Sequence, residues 1–156
     1  SVSSMALSDN NVLVVGYQYS DHGVVEVYDT SSASTRPTYA QVWMADYGNG
    51  VAITPDASKV VVGSPKEGRV YLYELNQGKF TSEQKITNRE IPTFGWKVSV
   101  STSGRSLAIS APRAREPGQL SIKSSLWSNS LACLTFLLYT EVSPGEFPRA
   151  ALPSSR

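Results

Sequence analysis

Short apolar runs separated by polar turns mark the first three quarters of the chain, and the runs have the length of strands rather than helices. Val12-Leu13-Val14-Val15-Gly16, Val60-Val61-Val62-Gly63 and Leu107-Ala108-Ile109-Ser110 are equivalent, because Gly16, Gly63 and Ser110 stand 47 residues apart. A second apolar segment precedes each run: Met5-Ala6-Leu7-Ser8, Val51-Ala52-Ile53-Thr54 and Val98-Ser99-Val100-Ser101. The turns between them, Asp9-Asn10-Asn11, Pro55 to Lys59 and Thr102 to Ser106, are rich in residues that accept positive φ or bond to their own backbone, so each pair predicts a β-hairpin.

A third strand with strict alternation follows in the first two repeats, as Gly23-Val24-Val25-Glu26-Val27-Tyr28 and Gly68-Arg69-Val70-Tyr71-Leu72-Tyr73. In the second of these, Val70, Leu72 and Leu75 are assigned to one face and Arg69, Tyr71 and Tyr73 to the other. A polar fourth segment, Thr38 to Trp43 and then Lys79 to Ile86, has the character of an outer edge strand. Four antiparallel strands in about 45 residues, repeated at a constant step, predict an all-β chain of antiparallel four-stranded blades from an incomplete β-propeller. A sandwich would also alternate, but nothing in it requires the same strand chemistry every 47 residues. The expected units are 1–46, 47–93 and a partial third at 94–119, followed by an irregular or capping tail at 120–156. In that tail the periodicity is lost inside a strand, and a changed coding frame competes with a cap over an exposed blade edge as its origin.

The third repeat reads Phe94-Gly95-Trp96-Lys97-Val98-Ser99-Val100-Ser101, then Leu107-Ala108-Ile109-Ser110-Ala111-Pro112, and it resembles the integrin-α-like FG-GAP repeat. The second repeat is a degenerate match, with Tyr47-Gly48 at its opening and Gly63-Ser64-Pro65 at its close, and the first keeps Gly16. The resemblance covers residues 1 to about 119, roughly two and a half blades. It implies a protein- or glycan-binding, adhesion-type scaffold at a cell surface or outside the cell, as a piece of a larger protein. Family members hold calcium in acidic Asp-x-Asp-x-Asp loops between the first two strands. The equivalent turns here carry Asp9, Asp56 and no acid between Thr102 and Ser106, so no calcium is expected.

Composition narrows the function classes. A chain of 156 residues, 40% hydrophobic and 10% aromatic, belongs to the globular class. A formal net charge of +1 supplies no field for nucleic acid. Cys133 is the single cysteine, which excludes an internal disulfide and a cysteine-rich zinc site. The most apolar stretch, Leu131 to Tyr139, is far shorter than the ~20 residues of a spanning helix, so no membrane span is expected.

No motif identifies a reaction, a cofactor or a metal. His22, the single histidine, sits in Tyr19-Ser20-Asp21-His22-Gly23, where a solvated loop histidine is the better reading than a general base, since no Gly-x-Ser-x-Gly elbow occurs. Gly48-Asn49-Gly50 lacks the third glycine and the following helix of a phosphate loop. Tyr28, Trp43, Tyr71 and Tyr73 read as packing residues rather than a stacking platform for sugars or bases. The loops after the second strands fall at equivalent places, so a propeller would gather Asp21, His22, Lys66, Glu67, Arg113, Arg115 and Glu116 on one face, as a candidate protein- or glycan-binding rim. Two other readings stand beside the scaffold: a fragment of a hydrolase or lyase with its active site in the propeller channel, and a truncated product without activity. The partial array is expected either to lack blades supplied by a parent chain or to assemble with copies of itself.

Overall fold

In the computed structural model the described residues are 1–111 and the short strand at 122–124, and the predicted Arg113, Arg115 and Glu116 lie outside them. Short apolar runs and alternating segments form strands where the sequence predicts them, and no helix occurs among the described residues. The first sheet is β1 (Val2–Leu7), β2 (Val12–Gln18), β3 (His22–Asp29) and β4 (Tyr39–Met44), paired in sequence order. The second repeats it with β5 (Gly50–Ile53), β6 (Lys59–Ser64), β7 (Arg69–Asn76) and β8 (Lys79–Thr87). β9 (Val98–Val100), β10 (Ser106–Ile109) and β11 (Ile122–Ser124) form the third sheet. All pairings are antiparallel. β11 falls in the stretch assigned to the tail, so backbone pairing onto β10 reaches beyond the point where the side-chain pattern stops.

The core lies between sheets, in two slabs. Val14, Val25 and Val27 of the first sheet meet Tyr47, Val51, Val60, Val62, Tyr71 and Tyr73 of the second unit. The opposite face of the second sheet, with Ala52, Val61, Val70, Leu72 and Ile86, meets Phe94, Leu107 and Ile109 of the third unit. The second sheet is therefore apolar on both faces, which is why β6 reads as an unbroken run of valines rather than an alternating strand. At roughly 1.5–3 kcal/mol for each large side chain removed from water, the two slabs are the main stabilising term.

Leu75 packs with the slab that contains Tyr71 and Tyr73, not with Val70 and Leu72, because two-residue spacing puts odd-numbered positions of β7 on the same side. Tyr71 and Tyr73 are buried as predicted, their rings parallel with centroids 6.2 Å apart, and the Tyr47 hydroxyl donates to that of Tyr73 at 3.0 Å. Trp43 differs from the prediction: it lies on the outermost strand β4, 43% exposed. An edge strand has a neighbour on one side only, so fewer of its side chains find cover.

Each inter-sheet contact is closed by a turn that belongs to one unit and rests on the previous one. Gly48 N donates to Gly63 O of its own sheet at 3.0 Å, while the Gly48 carbonyl presses onto Gly16 of β2 so closely that a Cβ there would lie 2.0 Å from the oxygen. The next turn repeats this, with Gly95 N on Ser110 O at 3.2 Å and the Gly95 carbonyl 2.0 Å from where a Cβ of Gly63 would stand. Gly48 and Gly95 have φ of 82° and 92°, the left-handed region that favours glycine. The aromatics beside them, Tyr47 and Phe94, are fully buried in the slabs. Gly63→Ala is expected to lose at least about 2 kcal/mol in urea unfolding, because a backbone oxygen has no rotamer by which to step aside.

The hairpin turns are held by their own side chains. Asp56 accepts from Thr54 Oγ1 at 2.7 Å, Ser58 N at 3.0 Å and Ser58 Oγ at 2.7 Å. The Ser58 amide first, then the Thr54 and Ser58 hydroxyls, hold its carboxyl down from the ordinary 3.8 to about 2. A depressed carboxyl contributes stability above its unfolded value, and that contribution fades as pH falls toward about 2. The group is exposed, so the contribution stays below about 1 kcal/mol. Asp56→Ala should flatten the loss of stability between about pH 4 and 2 in thermal melts followed by circular dichroism.

Candidate functional site

The loop after β6 and the segment joining the second unit to the third meet the end of β4 and enclose an open groove of about 470 Å³. Its walls include Met44 from the first sheet, Pro65, Lys66 and Glu67 from the β6–β7 turn, and Arg89 and Ile91 from the joining segment. The local sequence accounts for this shape. The β6–β7 connection is a tight turn closed by Glu67 N to Ser64 O and Gly68 N to Pro65 O, both at 3.2 Å, which projects Lys66 into solvent. Asn88 N bonds to Gly68 O at 2.8 Å and ties the joining segment to that turn.

Glu67 lies at the back of the groove, with its side chain 10% exposed. One oxygen accepts from Ser64 Oγ at 2.9 Å and Tyr71 OH at 2.8 Å, and the other faces Arg69 Nη1 at 3.2 Å. Ser64 is buried completely and Tyr71 almost so, so this carboxylate supplies partners for two hydroxyls that have no access to water. Burial raises the Tyr71 phenol above its ordinary value. The Lys85 ammonium lies 5.6 Å from the centre of the Tyr71 ring and adds positive charge to the same cluster.

Of the residues predicted for a binding rim, the structure brings Lys66 and Glu67 into the groove and places Asp21 and His22 beside it. His22 is the cross-strand partner of Met44, which lines the groove. The His22 Nδ1 and Asp21 Oδ1 atoms are 2.6 Å apart, and the imidazole stacks on Tyr19 with centroids 4.6 Å apart. The bond from His22 lowers the Asp21 carboxyl below its ordinary value. Asp21 is 81% exposed, so the pair is a solvated loop contact. Seven of the nine wall residues, with Met44, Arg89, Ile91 and Thr93 among them, were not in the predicted rim. For the joining segment the available signal is the proline-containing Ile91-Pro92-Thr93 just ahead of the Phe94-Gly95 turn, which marks a fixed connection between units. Among the described residues, no three His, Cys, Asp or Glu side chains converge to hold a metal ion. No helix among them is long and apolar enough to cross a membrane.

No family model matches the chain, and no curated protein matches it. Among solved structures it is similar to hydrazine synthase of Kuenenia stuttgartiensis, with a TM-score of 0.60 and 13% identity over 79% of this chain and 32% of that one. It is also similar to the β-propeller domain of Cps50 (Swd1) from Myceliophteria thermophila, with a TM-score of 0.62 and 12% identity over 86% of this chain and 43% of that one. At such identities the likeness speaks to fold: the sheets are antiparallel blades of a β-propeller, and the chain spans less than half the length of either structure.

Removing the carboxylate of Glu67 leaves Ser64, Tyr71 and Arg69 without their shared acceptor. Glu67→Ala is expected to cost about 2–3 kcal/mol in chemical unfolding, with Glu67→Gln costing less because its amide oxygen still accepts.

Proposed function

We propose that the chain is a β-propeller binding scaffold of the FG-GAP-like, adhesion type, acting at a cell surface or outside the cell, and that it takes a protein ligand in the groove beside Lys66. Its units are 1–46, 47–93 and a partial third at 94–119, carried within a larger protein. The observation that carries this reading is the chemistry of the groove wall. Lys66 and Arg89 are exposed cations flanking Met44 and Ile91, so an extended segment could bury apolar side chains between two charged anchors. Rigidity supports it as well, because the loops that form the wall spring from buried strands and are tied by backbone bonds. The resemblance of Phe94-Gly95 and the closing Ser110-Ala111-Pro112 to the FG-GAP repeat supports the adhesion class.

A displayed peptide library and a glycan array, each probed with the wild-type chain and with Lys66→Glu/Arg89→Glu, provide the test. Peptides with acidic residues should be enriched on the wild type and lose at least tenfold in affinity on the variant, whose two substituted positions are exposed. Glycans retained in place of peptides would replace the protein ligand by a carbohydrate one. Enrichment of neither class, or peptides that bind the variant equally well, removes the groove as the binding site.

A further inference from the structure

The two four-stranded sheets end on outer strands of opposite character. Each outer strand pairs with one neighbour, β4 with β3 and β8 with β7, so alternate residues turn their backbone N–H and C=O groups away from the sheet. In a propeller this edge faces outward from the axis, and a further blade stacks on the faces of a sheet rather than on its outer edge. What covers such an edge is therefore independent of how many blades the ring contains.

β8 is guarded against pairing by charge and by a bend. Lys79, Glu83 and Lys85 lie along it, with Lys85 and Glu83 joined at 2.7 Å. Its register on β7 shifts between Tyr73 and Glu74, and Ser82 stands at a φ of 48°. β4 has neither device. Residues 37–45 contain no charged side chain, and Pro37 falls ahead of the strand. The pairing with β3 runs without a shift from Val27↔Tyr39 to His22↔Met44, and no residue of β4 has a positive φ.

β4 presents apolar side chains as well. Val42, Trp43 and Met44 are 58%, 43% and 59% exposed and alternate between the two faces, so an added strand finds apolar neighbours on both. The polar side chains of the strand already engage each other, Tyr39 OH donating to Gln41 Oε1 at 2.7 Å. What stays open is backbone, and backbone at a sheet edge is met by water or by another strand.

The end of β4 leads into the groove. Met44 is the last residue of the strand and also part of the groove wall, so the free edge and the cleft between Lys66 and Arg89 are continuous. We propose that the protein ligand adds an extended strand to β4, with its backbone paired along Tyr39–Met44 and an acidic end between Lys66 and Arg89. Antiparallel addition, the arrangement of every pairing in these sheets, puts the acidic residues N-terminal to the paired segment, because β4 runs toward the groove. The paired segment carries β-branched or aromatic residues, which lie beside Val42 and Trp43. The inference rests on the groove taking a protein ligand and adds the edge that holds the backbone of that ligand.

Peptides of about twelve residues, selected from a random displayed library on the folded chain, are the probe, long enough for β4 and the groove together. Bound peptide should slow hydrogen exchange at the amides of residues 39–44 at least about tenfold. N-methylation at alternate positions of the apolar run of the peptide should weaken binding at least about tenfold in one of the two sets and little in the other, the period of a paired strand. Val42→Lys, at an exposed position and with folding checked by circular dichroism, should weaken binding by a similar factor, as the lysines of β8 guard that edge. Peptides that fail on Lys66→Glu/Arg89→Glu yet leave exchange in β4 unchanged overturn strand addition and keep the groove. Peptides that protect β4 and bind that variant equally well support the added strand and remove the groove. Protection of β4 without peptide, in a chain that sediments as a dimer, overturns the proposal in favour of two β4 edges paired with each other. A library that yields no peptide overturns both readings.

Discussion

The fold depends on a backbone carbonyl pressed against a bare Cα. Gly48 O on Gly16 and Gly95 O on Gly63 bring successive blades closer than any side chain at those glycines would permit. That approach fixes the depth at which Tyr47 and Phe94 enter the slabs, and hence which valines they cover. It also sets the step of the repeat. Hydrogen bonds from one unit to the next fall at sequence separations close to 47, as for Ser3 Oγ on Gly48 O at 45, Asn49 Nδ2 on Trp96 O and Val51 N on Ser4 Oγ at 47, and Lys97 Nζ on Asn49 O at 48. A blade shifted along its neighbour by one residue would put a Cβ under the carbonyl and reverse every alternating side chain at once.

This constraint explains what could be read from the chain and what could not. Strand positions follow from side-chain period, and the buried Val14, Val61 and Ile109 sit in the apolar runs that the spacing picks out. The blade stacking was legible because glycines recur in step with aromatics. The groove was only half legible: Lys66 and Glu67 lie on a loop whose equivalents recur, but Met44 and Arg89 reach it from other elements whose approach is set by tertiary packing. Glu67 is an instance of local pattern overlooked. Its partners Ser64, Arg69 and Tyr71 are all within four residues of it, a spacing at which a tight turn between two strands brings such groups together.

Charge on this chain is spent locally. Asp56 is engaged by Thr54 and Ser58, Asp29 by Ser31, Asp21 by His22, and Lys85 by Glu83. Each pair lies within two residues, at turns and along an outer strand, where it holds a turn or screens an edge. With near balance of sign overall, little long-range field is left, and the few cations that stand at a concavity act only at short range.

That concavity straddles a blade boundary, which ties its shape to the stacking of the blades. Met44 belongs to the first sheet, Lys66 to the second, and Arg89 and Ile91 to the segment leading into the third. A ligand touching all of them bridges the two slabs whose packing defines the array, and so binds the stacked blades better than separated ones. Differential affinity of that kind stabilises the stack by mass action. The converse holds equally: whatever stiffens the first sheet fixes the β3–β4 pair, from which Met44 reaches the groove with His22 beside it. The glycine contacts between blades thus govern the groove as well as the fold, because a groove shared by three elements can be no more rigid than the joints between them.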